Sequence, residues 1–455
     1  MKKFDLIVVP QQTAPTISGI IFRRLDELTP WPGNPRKRSK RQIVALANSI
    51  RTYGAINPII IDEYGVMLSG HGRHAAGQFL DLETFPTRVI TGLTEAQKCA
   101  FVIADNKISE LSGWDEPLLK TQLEIIINSN LSIEHTGFST AETDVIFQDP
   151  QESKGTDPGD LQETDIAVEV VSRRDDLWIC GSHRLFCGDA LDPNSYDVVL
   201  RGDRAQMIFS DPPYNLAISG IGGKGKIKHP EFAMASGEMS RQGFTDFLHR
   251  VLSQTQAFSV DGAIHYYCMD WRHMREMLDA AEPLFGPLRQ LCVWSKDNGG
   301  MGTFYRSQHE LVFVFKNGSA PHINNFELGQ HGRYRTNVWS YPGVNTFAGN
   351  GFEQLAMHPT VKPVSLVADA IRDCSHRKGL ILDPFAGSGT ALISCERTGR
   401  YARAIELDPR YVDVGVLRWQ RVTGVAATLA ATGQTWEQVR TVRLPQSSKE
   451  ARHGV

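Results

Sequence analysis

Leu380-Ile381-Leu382 is an unbroken apolar triplet that ends at Asp383 and runs directly into Pro384-Phe385-Ala386-Gly387-Ser388-Gly389-Thr390. Successive apolar positions read as a strand buried on both faces, the signature of a parallel sheet covered by helices. The glycine-rich turn is followed by a helix over 391–397. Strand, glycine turn and helix in that order bind ligands at the carboxyl ends of doubly wound sheets, and the glycines let a ligand approach the backbone closely. The second half of the chain is thereby confined to an α/β sheet fold. The turn is not the dinucleotide fingerprint, and no lysine follows it as in a P-loop. A second strand, Tyr401-Ala402-Arg403-Ala404-Ile405-Glu406, ends in an acid roughly 20 residues on, the spacing at which such acids accept hydrogen bonds from ribose hydroxyls.

At 455 residues the chain is too long for one ordinary core, so two or more domains are expected. Its 41% hydrophobic and 22% charged residues are ordinary for a water-soluble globular protein. No apolar run is long enough for a bilayer span, and the N-terminus lacks the h-region of a signal peptide. The seven cysteines form no C-x-x-C pair, which disfavours a zinc site or a disulfide framework and suits a reducing cytoplasm. Net charge is −3, so any contact with nucleic acid has to come from a local patch.

The first half follows a different pattern. Ser39 caps a helix reaching Tyr53, closed by Gly54. A strand over 58–61, a turn at Tyr64-Gly65 and a strand over 66–68 follow. Gly70-His71-Gly72-Arg73 then opens a helix from His74 to Leu80. Backbone N–H groups and the Arg73 guanidinium make this an anion or phosphate site, or else a turn that only needs glycine. The run Arg36-Lys37-Arg38, Lys40, Arg41 is a phosphate-backbone contact or a solvated face. Residues 149–165 are polar and read as a linker, and 444–455 as a disordered tail.

Met207-Ile208-Phe209-Ser210 is another apolar strand, ending at Asp211-Pro212-Pro213-Tyr214. These four residues suit an exocyclic amine, whose lone pair is delocalised into its ring. The Asp211 carboxylate and the Pro212 carbonyl can accept its N–H groups, the paired prolines fix the carbonyl's direction, and Tyr214 offers a stacking face. Alternatively the tetrapeptide is only a Pro-Pro turn.

Together, F-x-G-x-G followed by an acid resembles the S-adenosylmethionine site of class I methyltransferases. D-P-P-Y resembles the catalytic motif of amino-methyltransferases of DNA. The catalytic strand precedes the cofactor strand here, which resembles the beta group of that family, over about 177–424. The resemblance implies a Rossmann-like class I sheet in permuted order, S-adenosylmethionine as cofactor, no metal, and direct methyl transfer to a flipped-out base in double-stranded DNA. It implies catalytic roles for Asp211, Pro212, Pro213 and Tyr214. It implies cofactor contacts from Asp383, Phe385, Gly387, Gly389, Thr390 and Glu406, from Asp189 near the adenine, and from Thr360 and Lys362 near the methionine carboxylate. Val293-Trp294-Ser295-Lys296 and Ser307-Gln308-His309-Glu310 match family pocket walls. Lys224, Lys226 and Lys228, with Arg333 and Arg335 in the target-recognition slot, are the candidate DNA contacts, or ordinary surface loops.

The stretch around Gly70, Gly72 and Arg73 resembles the ParB/sulfiredoxin-like fold and its G-x-x-R nucleotide motif, with His71 where that motif has an acid. This departure puts nucleotide hydrolysis in doubt but not nucleotide binding. The expected organisation is an N-terminal tail (1–17), a smaller α+β ParB-like domain (18–112), a helical segment and linker (113–170), the methyltransferase domain (171–430) and a C-terminal tail (431–455). The expected function is site-specific methylation of adenine N6, since the motif begins with Asp211 where cytosine-N4 enzymes more often carry serine. Cytosine N4, an RNA or protein-glutamine substrate, and a non-enzymatic ParB-like switch are the alternatives. A cytoplasmic site, a homodimer, a restriction-modification setting and a phage or mobile-element origin complete the expectation, with no membrane partner.

Overall fold

The computed structural model describes residues 15–129, 131–148, 157, 159–160, 169–215, 237–297, 299, 304–326, 329, 333–343 and 361–444. The chain divides into two compact units, residues 1–147 and 148–455. Helices Glu116–Asn128 and Thr140–Phe147 therefore belong with the first unit, which runs past the expected boundary at 112.

In the first unit the helix Lys40–Tyr53 forms as its caps dictate. The Ser39 side chain accepts from Gln42 N, and Gly54 closes the helix at φ 83°. Strands Thr16–Ile17, Thr84–Thr91, Ile59–Asp62, Val66–Ser69 and Thr29–Pro30 form a mixed sheet in that spatial order, with Ile21–Arg24 also on Thr84–Thr91. Leu25, Leu28, Ile59, Ile61, Met67 and Phe85 are its core. Buried Lys98 pairs with buried Asp62 at 2.9 Å. The helix after the G-H-G-R segment is His71–Phe79 and starts three residues earlier than expected. Gly72 lies inside its first turn, where a Cβ would stand 2.9 Å from Leu46. That glycine serves helix packing.

The second unit is built on a ten-stranded sheet. Its spatial order is Val338–Ser340, Gln290–Ser295, His309–Lys316, Ser259–Met269, Ala205–Ser210, Leu380–Asp383, Tyr401–Glu406, His183–Cys187, Leu177–Cys180, Thr428–Leu429. The five strands from Ser259–Met269 to His183–Cys187 are mutually parallel. His309–Lys316 is antiparallel to both of its neighbours. This is the α/β class I sheet, entered in permuted chain order. Two apolar clusters fill it. One contains Trp178, Trp294, Val364 and Trp419, the other Tyr196, Phe244, Leu248 and Phe313.

The topology fixes where a ligand can bind. From Leu380–Asp383 the chain continues to a neighbour on one side, Tyr401–Glu406. From Ala205–Ser210 it continues to the neighbour on the other side, Ser259–Met269. The crevice between two such strands, at their carboxyl ends, is where open α/β sheets bind ligands.

Two expectations about the flanks are corrected. Residues 431–444 are not a tail. Thr435 and Gln438 form a capping box for the helix Trp436–Arg443, Trp436 is 3% exposed, and its Nε1 donates to Asp413 at 2.7 Å. Nor is all of 149–165 a free linker, because Asp160 Oδ1 accepts from Val364 N at 2.9 Å and Gly159 O accepts from buried Arg418. Among the described residues no helix is long and apolar enough to cross a membrane.

Candidate active site

Asp211 and Asp383 terminate adjacent parallel strands whose register pairs Leu382 with Ile208. Both acids therefore reach the same edge of the sheet, although far apart in sequence.

Around Asp211 the structure assembles a charged cluster. Tyr214 Oη donates to Asp211 Oδ1 at 2.7 Å, and Lys362 Nζ donates to Asp211 Oδ2 at 2.6 Å. Lys362 also meets Tyr214 Oη at 3.1 Å and Glu310 Oε2 at 3.0 Å. Glu310 is clamped from its other oxygen by Lys296 at 2.6 Å. Tyr214 Oη lies 3.2 Å from Glu310, but it has one proton and Asp211 is nearer. The Asp211 side chain keeps 23% of its surface open, against 3% for Lys362 and 11% for Glu310. Each carboxylate oxygen has two lone pairs, so Asp211 can still accept from an incoming amine through that open face.

Electrostatics follow from this layout. Burial pushes the Asp211 carboxyl above the usual range, and Lys362 pulls it back. For Glu310 burial also acts upward, but Lys362 and Lys296 outweigh it and hold the acid down at about 2. Burial alone would lower Lys362, yet Asp211 and Glu310 keep it well above an ordinary lysine. The cluster thus gathers two acids around one ammonium, with burial raising Asp211 and the two lysines holding Glu310 ionised.

The glycine turn forms the second half of the crevice. Gly387 has φ 50°, and a Cβ there would meet nothing within 4 Å. The space beside it is open for a ligand. Gly389, at φ 82°, has another reason to be glycine, since a Cβ would lie 3.0 Å from Gly415 Cα on the helix Pro409–Thr423. Glu406 accepts from Gly387 N and from Asp408 N, both at 2.8 Å, which aims its carboxylate at the turn. Burial raises Glu406 to about 7, and burial together with the nearby Asp211 and Glu406 carboxylates raises Asp383 to about 8. Asp383 accepts from Phe385 N at 3.1 Å, and Phe385 lies 6.1 Å from Phe247, ring to ring. Asp189 follows the next parallel strand. Its neighbour Gly188 donates to the Glu406 carbonyl at 2.9 Å, while its own carboxylate accepts from Leu191 N.

The structure brings Asp211, Tyr214, Asp383, Phe385, Gly387, Thr390, Glu406 and Asp189 to one edge. It puts Lys362 on Asp211, where the resemblance pointed to the cofactor's carboxylate. Arg333 and Arg335 require a correction. Arg333 is 7% exposed and bonds Asp373 at 2.6 Å. Arg335 bonds the other Asp373 oxygen at 2.8 Å and Tyr341 Oη at 3.0 Å. Their guanidinium groups are consumed by an internal ion-pair network and are not offered to a DNA groove. Thr360, Lys224, Lys226 and Lys228 lie outside the described residues.

Three contributors carry no such role in the sequence alone. Glu310 and Lys296 sit in segments recognised only as pocket wall. Arg418, fully buried, donates to Ser388 O at 3.0 Å and to Thr390 Oγ1 at 3.1 Å, bracing the glycine turn from beneath. Nothing in the local sequence around Arg418 marks it, because its partners lie about 30 residues away.

In the first unit, Gly70 caps its helix at φ 90°, and Arg73 Nη2 donates to Pro58 O at 3.2 Å. The Arg73 Nε is buried without a hydrogen-bond partner. His71, depressed to about 4 by burial, is neutral and accepts from Trp31 N at 3.2 Å, so it stands in for no metal-binding acid.

Residues 205–416 match the N6_N4_Mtase family, described as DNA methylase. The M2.MboI type II methyltransferase of Moraxella bovis is 23% identical over 252 residues, covering 53% of this chain and 89% of its own. The DNA adenine methyltransferase YhdJ of Escherichia coli K12 is 24% identical over 242 residues, covering 48% and 76%. At the other end, the ParB-like nuclease domain-containing protein YnaK of the same organism is 42% identical over 79 residues, covering 17% of this chain and 91% of its own. The segment 205–416 is thus a DNA methylase domain of the N6/N4 family, dependent on S-adenosylmethionine, and a ParB-like domain precedes it.

Proposed function

We propose that this enzyme methylates the exocyclic N6 of adenine at a specific short site in double-stranded DNA. The observation that carries the reading is Asp211 at the head of the D-P-P-Y motif, bonded to Lys362, partly open and placed beside the glycine turn. The relative named as a DNA adenine methyltransferase supports the choice of base.

S-adenosylmethionine, when bound, supplies an electrophilic methyl group. Gly387 and Gly389 would admit it against the backbone, Glu406 would accept from its ribose, and Asp189 and Phe385 would flank its adenine. Against this, Asp211 accepts one N–H of the target amine and the Pro212 carbonyl the other. The nitrogen lone pair is thereby turned out of the ring plane. Tyr214, its hydroxyl tied to Asp211, holds its ring in one orientation as a stacking face for a flipped base. The amine proton released on transfer passes to Asp211 or to water.

In the ParB-like domain the corresponding reading is a nucleotide phosphate at the helix start by Gly70 and Arg73. Loss of nucleotide binding in Arg73→Met, measured by calorimetry, tests it.

The decisive experiment expresses the protein in methylation-deficient cells and sequences their DNA with modification-sensitive reads. N6-methyladenine in one motif, absent with Asp211→Ala, is the expected result. N4-methylcytosine would reassign the base, and unmodified DNA from a folded enzyme would remove the activity.

A further inference from the structure

The methyl-transfer site occupies the carboxyl ends of the parallel strands. Their amino ends carry a separate cavity of about 570 Å³ whose lining includes Arg184, Arg201, Arg403, Tyr401 and Thr428. Arg184 and Arg403 are register partners on adjacent parallel strands, so their side chains leave the same face of the sheet. Arg201 joins them from the end of the helix Pro193–Leu200, in the left-handed conformation at φ 54°.

What sets this trio apart is the shortage of negative charge. Arg403 is only 5% exposed. Its Nη1 donates to the carbonyls of Ser182 and Ala402, while its Nε is buried with no partner. Arg184 donates to the Val199 carbonyl. Among the described residues no carboxylate is within ion-pairing distance of any of the three, and Asp203 acts on Arg184 and Arg403 only at longer range. The nearby His183 is already engaged, by Glu396 on one nitrogen and Ala402 N on the other. Burial, then the neighbouring Arg184, pushes Arg403 down to about 10. Burial and Arg201 lower Arg184 in the same way. Arg333 and Arg335 show the contrast within this chain, buried to a similar degree but paired with Asp369 and Asp373.

Gathering guanidinium groups in a partly dry cavity without an acid is unfavourable for the protein alone. It becomes favourable when an oxyanion enters, because arginine forks match phosphate oxygens in charge-assisted pairs. The volume lies within the range of small-molecule sites. We propose that this cavity binds a phosphate-bearing small molecule of up to nucleotide size, with Arg184, Arg201 and Arg403 as its anion cradle. The same phosphate chemistry exists in the DNA backbone. The geometry favours the small molecule, since Arg403 is only 5% exposed and the cavity lies toward the amino ends of the strands, roughly 10 Å along the chain from the carboxyl end at Glu406.

The test uses the full-length enzyme. Thermal stability and calorimetric binding are measured with inorganic phosphate and with AMP, against chloride at matched ionic strength. Saturable stabilisation by either phosphate compound is expected. Arg201→Gln, at an exposed position, and Arg184→Gln should each weaken it about tenfold, the effect of roughly one lost charge-assisted bond. Arg184→Gln should also melt no lower than the parent in chloride, because it relieves like-charge crowding. A purely structural arginine would lower that melting point. Phosphate behaving as chloride does, or binding equally to both variants, overturns the proposal. So does a result in which the variants lose only DNA retention and its salt dependence, which would make the cavity a DNA backbone contact.

Discussion

Replacing Lys362 with methionine separates two roles that this lysine can have. The side chain is about the same length but loses the ammonium that sits 2.6 Å from Asp211. Two unit charges about 4 Å apart interact by roughly 4 kcal/mol at an effective dielectric of about 20, equivalent to about 3 pKa units. Asp211 retains 23% side-chain exposure, and water takes over part of the lost stabilisation. A rise of about 1–2 units is therefore expected for its carboxyl. The sign is fixed by the chemistry. Only ionised Asp211 can accept the amine's hydrogen bond while carrying no proton of its own, and burial already raises it. Without Lys362, Asp211 and Glu310 face each other as like charges around Tyr214, and one of them takes up a proton first. The assay is the pH dependence of single-turnover methylation at saturating S-adenosylmethionine, alongside calorimetric affinity for the cofactor. The acid limb of the rate should move to higher pH, with cofactor affinity little changed. A uniform loss at every pH would reduce Lys362 to a structural role. A loss confined to cofactor affinity would return it to the methionine carboxylate.

Four further outcomes follow from the structure. Gly389→Ala should destabilise the methyltransferase unit by about 2–3 kcal/mol in urea melts, since it forces φ 82° on a residue with a Cβ 3.0 Å from Gly415 Cα. Gly387→Ala, facing open space, should instead lower cofactor affinity by a larger factor than it lowers stability. Glu406 titrates at about 7 in the folded protein against about 4.5 when exposed. Its proton therefore stabilises the ligand-free fold at low pH, and that stabilisation is lost as pH rises through this window; Glu406→Gln should flatten the decline. Trp436→Ala should cost about 3 kcal/mol or more by emptying a buried site and leaving Asp413 short of a donor.

How much could be read in advance depended on how local the determining interactions were. The helix Lys40–Tyr53 was legible because Ser39, its apolar spacing and Gly54 all lie within one segment. The strand Tyr401–Glu406 was legible for the same reason. Lys362 is expected at the methionine carboxylate and not on Asp211, because its partners lie 151 and 148 residues away, and no local rule tells a lysine which acid it will meet. Arg333 and Arg335 looked like groove readers only while their partners were unknown. A signal did exist in Asp369 and Asp373, one helical turn apart on a mostly buried helix that supplies only Arg372 as a cation of its own, since buried acids require cations. The C-terminal helix was also announced, by Thr435 and Gln438 at capping-box spacing around an aromatic.

The reversed order of the two motifs has a physical explanation in the sheet. Asp211 and Asp383 become neighbours because their strands hydrogen-bond side by side, and that pairing is indifferent to which strand was synthesised first. What the order does decide is which excursion joins them. Leaving Asp211, the chain crosses outward through Ser259–Met269, Gln290–Ser295 and His309–Lys316 before returning at Leu380. Lys296 and Glu310 are delivered to the amine site at the ends of two strands of that excursion, and Lys362 on the way back. The residues that set the charge of Asp211 thus come from the stretch between the two motif strands. The permuted order therefore draws Asp211's charge partners from that single excursion, and the Lys362 substitution tests the dependence at its central charge.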